Sequence, residues 1–289
     1  MTEKPQHISG YDARHTQLIR ETCLDLATRV GDMMDELVIV GGLVPGLIIS
    51  QDKLPVGAEP HCGTLDIDLG LSVALFEGQR YQSLTERLRS SGFEPDKNNS
   101  GNMTMQRWRV ADDHSLTIDF LVAPSSPEEQ RRAREIRNIE SDFAAIITPG
   151  LHLAFKDRQS VLLEGTTRKG ERAERSVSVC GPAAFIVLKA LAFGVRGMNK
   201  DAYDLFYVLR NYGGGIDDIV ARFDPLRGDE KLAEAIAIIE RDFTDERSIG
   251  PMRTSAFIHL GVNDDTIADV VGFSRDLLAG LGKRGSGTG

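Results

Sequence analysis

Short apolar runs and amphipathic segments alternate along the first half of the chain. The run Leu37–Val40 is typical of a buried strand, and Ser115–Val122 has the β-branched, apolar character of another. Met103–Val110 alternates between apolar and polar positions, so we expect it to pair with the second of these strands. Apolar residues recur at helical spacing in His15–Val30 and in Tyr81–Ser91. The pattern predicts a sheet flanked by helices.

The second half of the chain is dominated by helical patterns. The charged segment Glu128–Asp142 is predicted to be a helix, and Ala183–Phe193 is apolar enough to be a core helix that begins near Pro182. Helical spacing also marks Asp229–Phe243 and Asp264–Leu281. This half of the chain therefore predicts a mainly helical region.

These patterns divide the chain into two lobes. At 289 residues the chain is longer than a typical single domain. We expect an α+β protein with a mixed-sheet lobe at residues 1–140 and a mainly helical lobe at residues 141–281. The glycine-rich end, residues 282–289, is predicted to be a disordered tail.

Composition narrows the class of protein. Hydrophobic residues make up 41% of the chain, which is enough for substantial cores. No apolar run approaches the roughly 18 residues that are needed to cross a bilayer, and the polar start Met1–Pro5 does not resemble a signal peptide. The three scattered cysteines form neither a zinc pattern nor an even set for disulfides. The sequence therefore predicts a cytoplasmic protein with no membrane partner.

The net charge of −9 argues against a broad nucleic-acid-binding surface, which is ordinarily basic. A basic footprint could only be local. Arg131–Arg137 lies on a predicted helix, and Arg168–Arg175 lies in a predicted loop or hairpin. Such segments are more often solvated charged faces than RNA contacts, so acidity weakens an RNA-binding interpretation without removing it.

Two aspartates, Asp66 and Asp68, occupy alternate positions of a predicted strand and so point to the same side. Adjacent anions are costly unless a cation lies between them, and Mg²⁺ is usually held by one or two carboxylates together with substrate phosphates. Upstream, Gly41 and Gly42 interrupt the strand Leu37–Val40, and the backbone N–H groups of such a turn can approach a phosphate closely. Together these features predict a metal–nucleotide site.

A third carboxylate, Asp119, is the only charge in the predicted strand Ser115–Val122. An aspartate within an apolar strand is seldom buried without a partner. Either Asp119 lies on the wet face of a half-exposed sheet, or its strand lies beside that of Asp66 and Asp68. The second arrangement would complete a three-carboxylate site for Mg²⁺ or Mn²⁺.

A later block of charges lies on predicted helices. Lys189 is the sole charge of its apolar helix, so it must reach the helix edge or find an anion. Asp201 and Asp204 are three residues apart and share a helix face, with Arg196 and Lys200 close by in sequence. Asp201 also suits the first turn of a helix, where the macrodipole stabilises anions. That explanation does not extend to Asp204.

The combination of Gly41–Gly42, Asp66-Ile67-Asp68-Leu69 and Asp119 resembles the nucleotidyltransferase fold. The block from Lys189 to Asp204 makes the chain similar to the AbiEii-type nucleotidyltransferase toxins, the family that includes the MenT toxins. The resemblance spans roughly residues 37–212, which is most of the chain.

The resemblance implies a role for each matching residue. Asp66 and Asp68 would bind the metal ion, and Lys189 would contact the triphosphate of the nucleotide. Asp204 would complete the site, and the nucleotide would also be bound by Gly41, Gly42, Arg196, Lys200 and Asp201.

The implied reaction is metal-dependent transfer of a nucleotide from an NTP to an acceptor hydroxyl, with release of pyrophosphate. Asp119 or Asp204 would orient or deprotonate the acceptor. The implied acceptor is RNA, in particular the 3′ end of tRNA, and the implied partner is a cognate antitoxin. The chain departs from the family pattern at His61–Leu65, where a basic residue often precedes the two aspartates.

Two other classes of function stay open. An enzyme of the same fold could modify a small molecule such as an antibiotic, which an acidic protein surface would suit. A non-catalytic interaction protein could retain the fold and only bind nucleotide, although retention of Asp66, Asp68, Lys189 and Asp204 argues against such decay.

Overall fold

The computed structural model describes residues 4–55, 57–72, 74–75, 80–98, 100–131 and 135–285, and these form two compact units. The first unit contains Asp12–Val44 and Gly63–Cys180. The second contains Lys4–Tyr11, Pro45–Cys62 and the chain from Gly181 onward. Each unit is therefore assembled from stretches that are separated in sequence.

The described residues include both strands and helices. The strands are β1 (Leu37–Val40), β2 (Asp66–Leu71), β3 (Phe93–Lys97), β4 (Met103–Val110), β5 (Asp113–Val122), β6 (Ile136–Glu140), β7 (Phe143–Ile147), β8 (Arg158–Thr166) and β9 (Arg172–Cys180). The α-helices are α1 (Ala13–Val30), α2 (Val44–Ile48), α3 (Arg80–Ser90), α4 (Pro127–Arg131), α5 (Leu153–Lys156), α6 (Pro182–Arg196), α7 (Asn199–Asn211), α8 (Ile216–Arg222), α9 (Glu230–Phe243), α10 (Ile249–His259) and α11 (Asp264–Gly285). Short 3₁₀ helices occur at Ile8–Gly10, Gly31–Glu36, Gly41–Leu43, Gln51–Lys53 and Asp224–Leu226.

In the described part of the chain, all nine strands belong to one mixed sheet in the first unit. Its main order is β3-β4-β5-β2-β1-β9-β8, and β7 pairs with β5 and β6. The pairs β2–β5, β1–β9 and β5–β7 are parallel, whereas β1–β2, β3–β4, β4–β5, β6–β7 and β8–β9 are antiparallel. β2 and β5, which carry the candidate aspartates, are therefore neighbours near the middle of the sheet.

Alternation along the central strands separates the core from the candidate site. Ile67 and Leu69 on β2, and Ile118 and Phe120 on β5, are completely buried. Successive side chains of a strand point to opposite faces of the sheet, so these apolar residues lie on the face opposite the aspartates of the same strands. Burial of the apolar face therefore fixes the direction in which the carboxylates point.

The second unit is organised around α6 and α7. Pro182 occupies the first turn of α6, where its missing N–H removes no helical hydrogen bond, and Gly197 ends the helix in the left-handed conformation with φ of 58°. Phe193 of α6 packs against Phe243 of α9 with ring centroids 4.9 Å apart. α7 is almost entirely buried, so Lys200, Asp201 and Asp204 lie in the interior of this unit.

The prediction of a mixed helical and β protein with a mixed sheet is confirmed, but the predicted helix Glu128–Asp142 is wrong. α4 ends at Arg131, and Ile136–Glu140 forms β6, which pairs with β7. β6 lies at an edge of the sheet, where exposed residues alternate with half-buried ones. A short polar edge strand of this kind lacks the apolar run that identifies a buried strand.

The chain also divides at different places from those predicted. The predicted boundary after residue 140 falls inside the first unit, because β7, β8 and β9 belong to its sheet, and Pro45–Cys62 belongs to the second unit. The predicted tail is helical in part, since α11 continues to Gly285; residues 286–289 lie outside the described residues.

Candidate functional site

Three aspartates converge on one face of the sheet in the first unit. Asp66 and Asp68 lie on β2, and Asp119 lies on β5. One carboxylate oxygen from each lies within 4.8 Å of the other two. Asp66 is 4% and Asp119 is 6% exposed, and Asp68 is half-buried. Anions this close and this shielded repel one another unless a cation lies among them, so the three oxygens suit a divalent metal ion.

The strand pairing explains how the three residues meet. β2 and β5 are parallel, and their register places Asp68 directly beside Asp119. Thr64, just before β2, donates a hydrogen bond from Oγ1 to Oδ1 of Asp66 at 3.2 Å. The prediction that the Asp119 strand lies beside the Asp66–Asp68 strand is confirmed, and the alternative of a wet sheet face for Asp119 is wrong.

The predicted glycine turn packs directly against this cluster. Gly41 begins the 3₁₀ helix that follows β1 and has a left-handed φ of 72°. A Cβ atom at Gly41 would lie 1.8 Å from Oδ2 and 2.7 Å from Cγ of Asp68. Because only glycine leaves this space open and adopts this backbone conformation without strain, the turn and the carboxylate fit together only with glycine at position 41.

We expect Gly41→Ala to weaken divalent-metal binding by about tenfold or more, because the new methyl group must push the Asp68 carboxylate out of the cluster. Isothermal titration with Mn²⁺ measures this loss. Gly170→Ala is the matched control, since Gly170 has a φ of 81° in the same unit but nothing within 4 Å of its Cβ position. Equal Mn²⁺ affinities of the two variants would contradict the packing argument.

Arg107 on β4 joins the cluster, and the sequence reasoning missed it. Its Nε donates to Oδ1 of Asp119 at 2.6 Å and its Nη2 donates to Oδ2 at 2.5 Å. Nη2 also lies 3.8 Å from Oδ2 of Asp66. The hydrogen bonds to Asp119 raise the pKa of Arg107 above its usual value; burial opposes this, and the charges of Asp119, Asp66 and Asp68 add to it. The candidate metal centre therefore combines three carboxylates with one guanidinium.

A second group of predicted residues forms a buried ion-pair network in the second unit. Lys189 Nζ on α6 lies 2.7 Å from Oδ2 of Asp204 and 3.2 Å from Oδ1 of Asp201, both on α7. Lys200 pairs with Asp204 one helical turn away, and Arg196 Nη2 donates to Oδ1 of Asp201 at 2.6 Å. Lys189 therefore finds anions inside the unit and does not extend to the helix edge.

These contacts keep Asp204 and Lys189 ionised in spite of their burial. Burial alone would raise the pKa of Asp204, but Lys189 and Lys200 hold that pKa well below its usual value. Burial would likewise lower the pKa of Lys189, but Asp204 and Asp201 raise it. A carboxylate with so low a pKa is a poor proton acceptor near neutral pH. Asp204, one of the two carboxylates predicted as the general base, is thus poorly suited to that role.

His61 completes the network from the segment Pro45–Cys62. Its Nε2 lies 2.8 Å from Oδ1 of Asp204, and its side chain is 2% exposed. The ring stacks on Tyr203 with centroids 5.3 Å apart and meets the edge of Tyr207 at 4.8 Å. Burial and the charge of Lys200 lower the pKa of His61 to about 4, in spite of Asp204. The imidazole is therefore neutral and donates from Nε2 to the carboxylate.

This neutral histidine predicts a pH dependence of stability. Below pH 6.5 the unfolded chain protonates His61 while the folded protein does not, so stability is lost as pH falls from about 6.5 to about 4. His61→Gln keeps a donor for Asp204 without titrating. Between pH 7 and 4.5 we expect the wild type to lose roughly 2–3 kcal/mol more than this variant in urea unfolding experiments. His259→Gln, on α10, is the control; the same pH dependence in the wild type and His61→Gln would contradict the assignment.

The structure thus brings the predicted residues together in two groups, one in each unit. The first unit holds Asp66, Asp68, Asp119, Gly41 and Gly42, and the second holds Lys189, Arg196, Lys200, Asp201 and Asp204. Arg107 and His61 were not predicted as members of these groups. Both are charged or polar residues held beside a buried aspartate.

The two basic segments differ in structure. Arg137 lies on β6, where it pairs with Glu129, and residues 132–134 of that run lie outside the described residues. Arg168–Arg175 lies in the β8–β9 hairpin, as predicted, with Arg168 bound to Asp112. Within the described residues, the basic residues of the hairpin therefore lie on one structural element, whereas those of the other segment do not.

Comparison with known proteins adds no identification. No protein-family model matches the chain, and no curated protein sequence matches it significantly. Among the described residues, no helix is both long enough and apolar enough to cross a membrane. The geometry of the candidate site is therefore the basis for proposing a class of protein.

Proposed function

We propose that this protein is a metal-dependent nucleotidyltransferase, which transfers a nucleotide from an NTP to an acceptor hydroxyl and releases pyrophosphate. The observation that carries the proposal is the buried cluster of Asp66, Asp68 and Asp119 on adjacent strands, with the Gly41 turn packed against it. When bound, Mg²⁺ or Mn²⁺ supplies a Lewis acid that stabilises charge on the transferring phosphate. We also propose that the first unit, which contains the sheet, has a nucleotidyltransferase fold.

Each residue of the first unit has a distinct role in this proposal. Asp66 and Asp68 hold the metal ion from β2, and Asp119 completes the ligand set from β5. The backbone N–H groups of Gly41 and Gly42 lie beside the phosphates, because this turn packs against the Asp68 carboxylate and therefore lies next to the metal ligands. In this proposal Asp119 also orients the acceptor hydroxyl.

The charge of the network in the second unit supports a role in binding the triphosphate. Three cations, Lys189, Arg196 and Lys200, face two anions, Asp201 and Asp204, which leaves one positive charge in excess. We propose Lys189 as the residue that contacts the triphosphate, with Arg196, Lys200 and Asp201 holding it in place.

The proposed acceptor is RNA, with the 3′ end of tRNA as the first choice, and the proposed biological role is that of a toxin with a cognate antitoxin. This part rests on the resemblance of the Lys189–Asp204 block to AbiEii-type toxins. The basic residues of the β8–β9 hairpin, Arg168–Arg175, are the proposed RNA contacts. Their charge predicts salt-sensitive RNA binding.

Incubation with each α-³²P-labelled NTP, with and without total tRNA, tests the activity. We expect label to enter tRNA in the presence of Mg²⁺ or Mn²⁺, and digestion from the 3′ end to release it. Label in a small molecule of a cell extract, and none in RNA, would move the proposal to the small-molecule transferase. Binding of NTP without transfer to any acceptor would favour the non-catalytic interaction protein.

Induced expression in bacteria tests the proposed toxicity. We expect growth arrest with the wild type, because added nucleotides at the tRNA 3′ end prevent aminoacylation. Asp66→Ala should relieve the arrest, and Arg172→Ala in the hairpin should at most weaken it. Unaffected growth at high expression, with labelled RNA in vitro, would remove the toxin role and leave the transferase.

A further inference from the structure

Arg107 reaches the candidate metal centre from a third strand. The register of β4 and β5 places Arg107 opposite Asp119, and the guanidinium grips both carboxylate oxygens of Asp119 at 2.6 and 2.5 Å. The same guanidinium lies 3.8 Å from Asp66. Its side chain is 21% exposed. Arg107 is thus a fixed positive charge within a group of three carboxylates.

Arg109, two residues further along β4, shows what an ordinary ion pair of this sheet looks like. It points to the same side of the strand and pairs with Glu94 and Asp96 on β3, at 2.7 and 3.5 Å. Within the part of the chain that the structure describes, Arg109 forms no ion pair with the three aspartates. Arg107 and Arg109 therefore form a matched pair of arginines, of which one belongs to the candidate metal centre.

The charge count of the cluster follows from these contacts. In their ionised forms the three carboxylates carry a charge of −3, and Arg107 reduces it to −2, which one divalent cation neutralises. The grip on Asp119 does not block a metal ion, because two carboxylate oxygens together have about four lone-pair directions and the guanidinium uses two. Arg107 and a cation can therefore bind Asp119 at the same time.

We infer that Arg107 is a positioning residue of the metal site, which orients Asp119 and sets the site's charge so that it takes one divalent cation before nucleotide binds. The inference rests on the proposed function, since it assumes that the aspartates bind a metal ion. Arg107 then has two effects on the site. Its positive charge weakens binding of the cation, and its hydrogen bonds hold the ligand Asp119 in place.

Titration with Mn²⁺, followed by calorimetry or by the electron paramagnetic resonance of free Mn²⁺, tests the inference. We expect the wild type to bind one Mn²⁺ per chain. Arg107→Gln should bind Mn²⁺ about tenfold tighter or more, because removing one unit charge close to a divalent ion matters even when water screens it. Arg109→Gln, the matched control, should bind Mn²⁺ as the wild type does.

Asp119→Asn and the double variant Arg107→Gln/Asp119→Asn guard against a folding defect in the single variant. Asp119→Asn leaves Arg107 beside two carboxylates, with a net charge of −1, so Mn²⁺ binding should fall steeply. The double variant returns the charge to −2 and removes both partners of the Arg107–Asp119 ion pair together, so its Mn²⁺ affinity should recover by about tenfold over Asp119→Asn.

The outcomes separate the inference from the proposed function. A merely structural arginine predicts that Arg107→Gln binds Mn²⁺ no better than the wild type and that the double variant does not recover, and either result overturns the inference alone. No Mn²⁺ binding by the wild type overturns the metal site, and with it both proposals.

Discussion

We expect Asp66→Asn and Asp68→Asn each to abolish the proposed nucleotide transfer and to leave the protein folded. A neutral amide at either position removes one of the three ligands and a negative charge from the metal site, so we expect transfer to fall by more than about 100-fold. The same change relieves repulsion among the carboxylates, which offsets the cost of the altered side chain. Incorporation of label from α-³²P NTP into tRNA, together with the melting temperature, measures both effects.

Asp96→Asn is the control for this prediction. Asp96 lies on β3 of the same sheet and is paired with an arginine, Arg109, as Asp119 is paired with Arg107. We expect it to transfer nucleotide as the wild type does. Full activity in both Asp66→Asn and Asp68→Asn, with unchanged melting temperatures, would falsify the metal-site assignment.

We expect Lys189→Met to destabilise the second unit by about 3–5 kcal/mol, because it leaves Asp201 and Asp204 buried beside one cation fewer. Lys189 is 8% exposed, and its two partners are 1% and 0% exposed, so water cannot replace the lost charge. Urea unfolding followed by helical circular dichroism measures the change. NTP turnover at a temperature where the variant stays folded tests the proposed contact with the triphosphate.

Lys231→Met is the matched control, since Lys231 forms a pair at the protein surface with Glu234 on α9. We expect it to cost less than about 1 kcal/mol. A similar small loss for Lys189→Met would show that the network does not hold the unit together. Normal NTP affinity and turnover of folded Lys189→Met would remove the lysine from the proposed nucleotide site.

The convergence of Asp66, Asp68 and Asp119 was predictable because each lies in a strand whose apolar neighbours fix its face. Arg107 was not. A symmetrical turn at residues 111–114 would pair Val110 with Ser115 and Arg107 with Ile118, which points the arginine away from Asp119. The structure instead has a β-bulge between Arg109 and Val110, which shifts the register and brings Arg107 opposite Asp119. The pattern of apolar and polar residues along the sequence does not reveal such a shift in strand register.

His61 escaped prediction for a different reason. It lies in a segment without hydrophobic periodicity, and its partner Asp204 is 143 positions away in sequence. A pattern analysis detects what a residue shares with its near neighbours, whereas this contact depends on where a long irregular segment is placed. The departure from the family pattern at His61–Leu65 was visible, but its structural meaning required the contact with Asp204.

The discontinuous composition of the second unit has a consequence for folding. Pro45–Cys62 leaves the ribosome well before the helices that it joins, since Cys62 precedes Gly181 by 119 residues. Until α7 is made, His61 has no aspartate to bind, and closing so long a loop carries an entropic cost. A fragment that begins at Gly181 would contain Lys189, Lys200 and Asp204 but would lack the imidazole that covers them. The ion-pair network is therefore completed late in synthesis, and it depends on a segment encoded early.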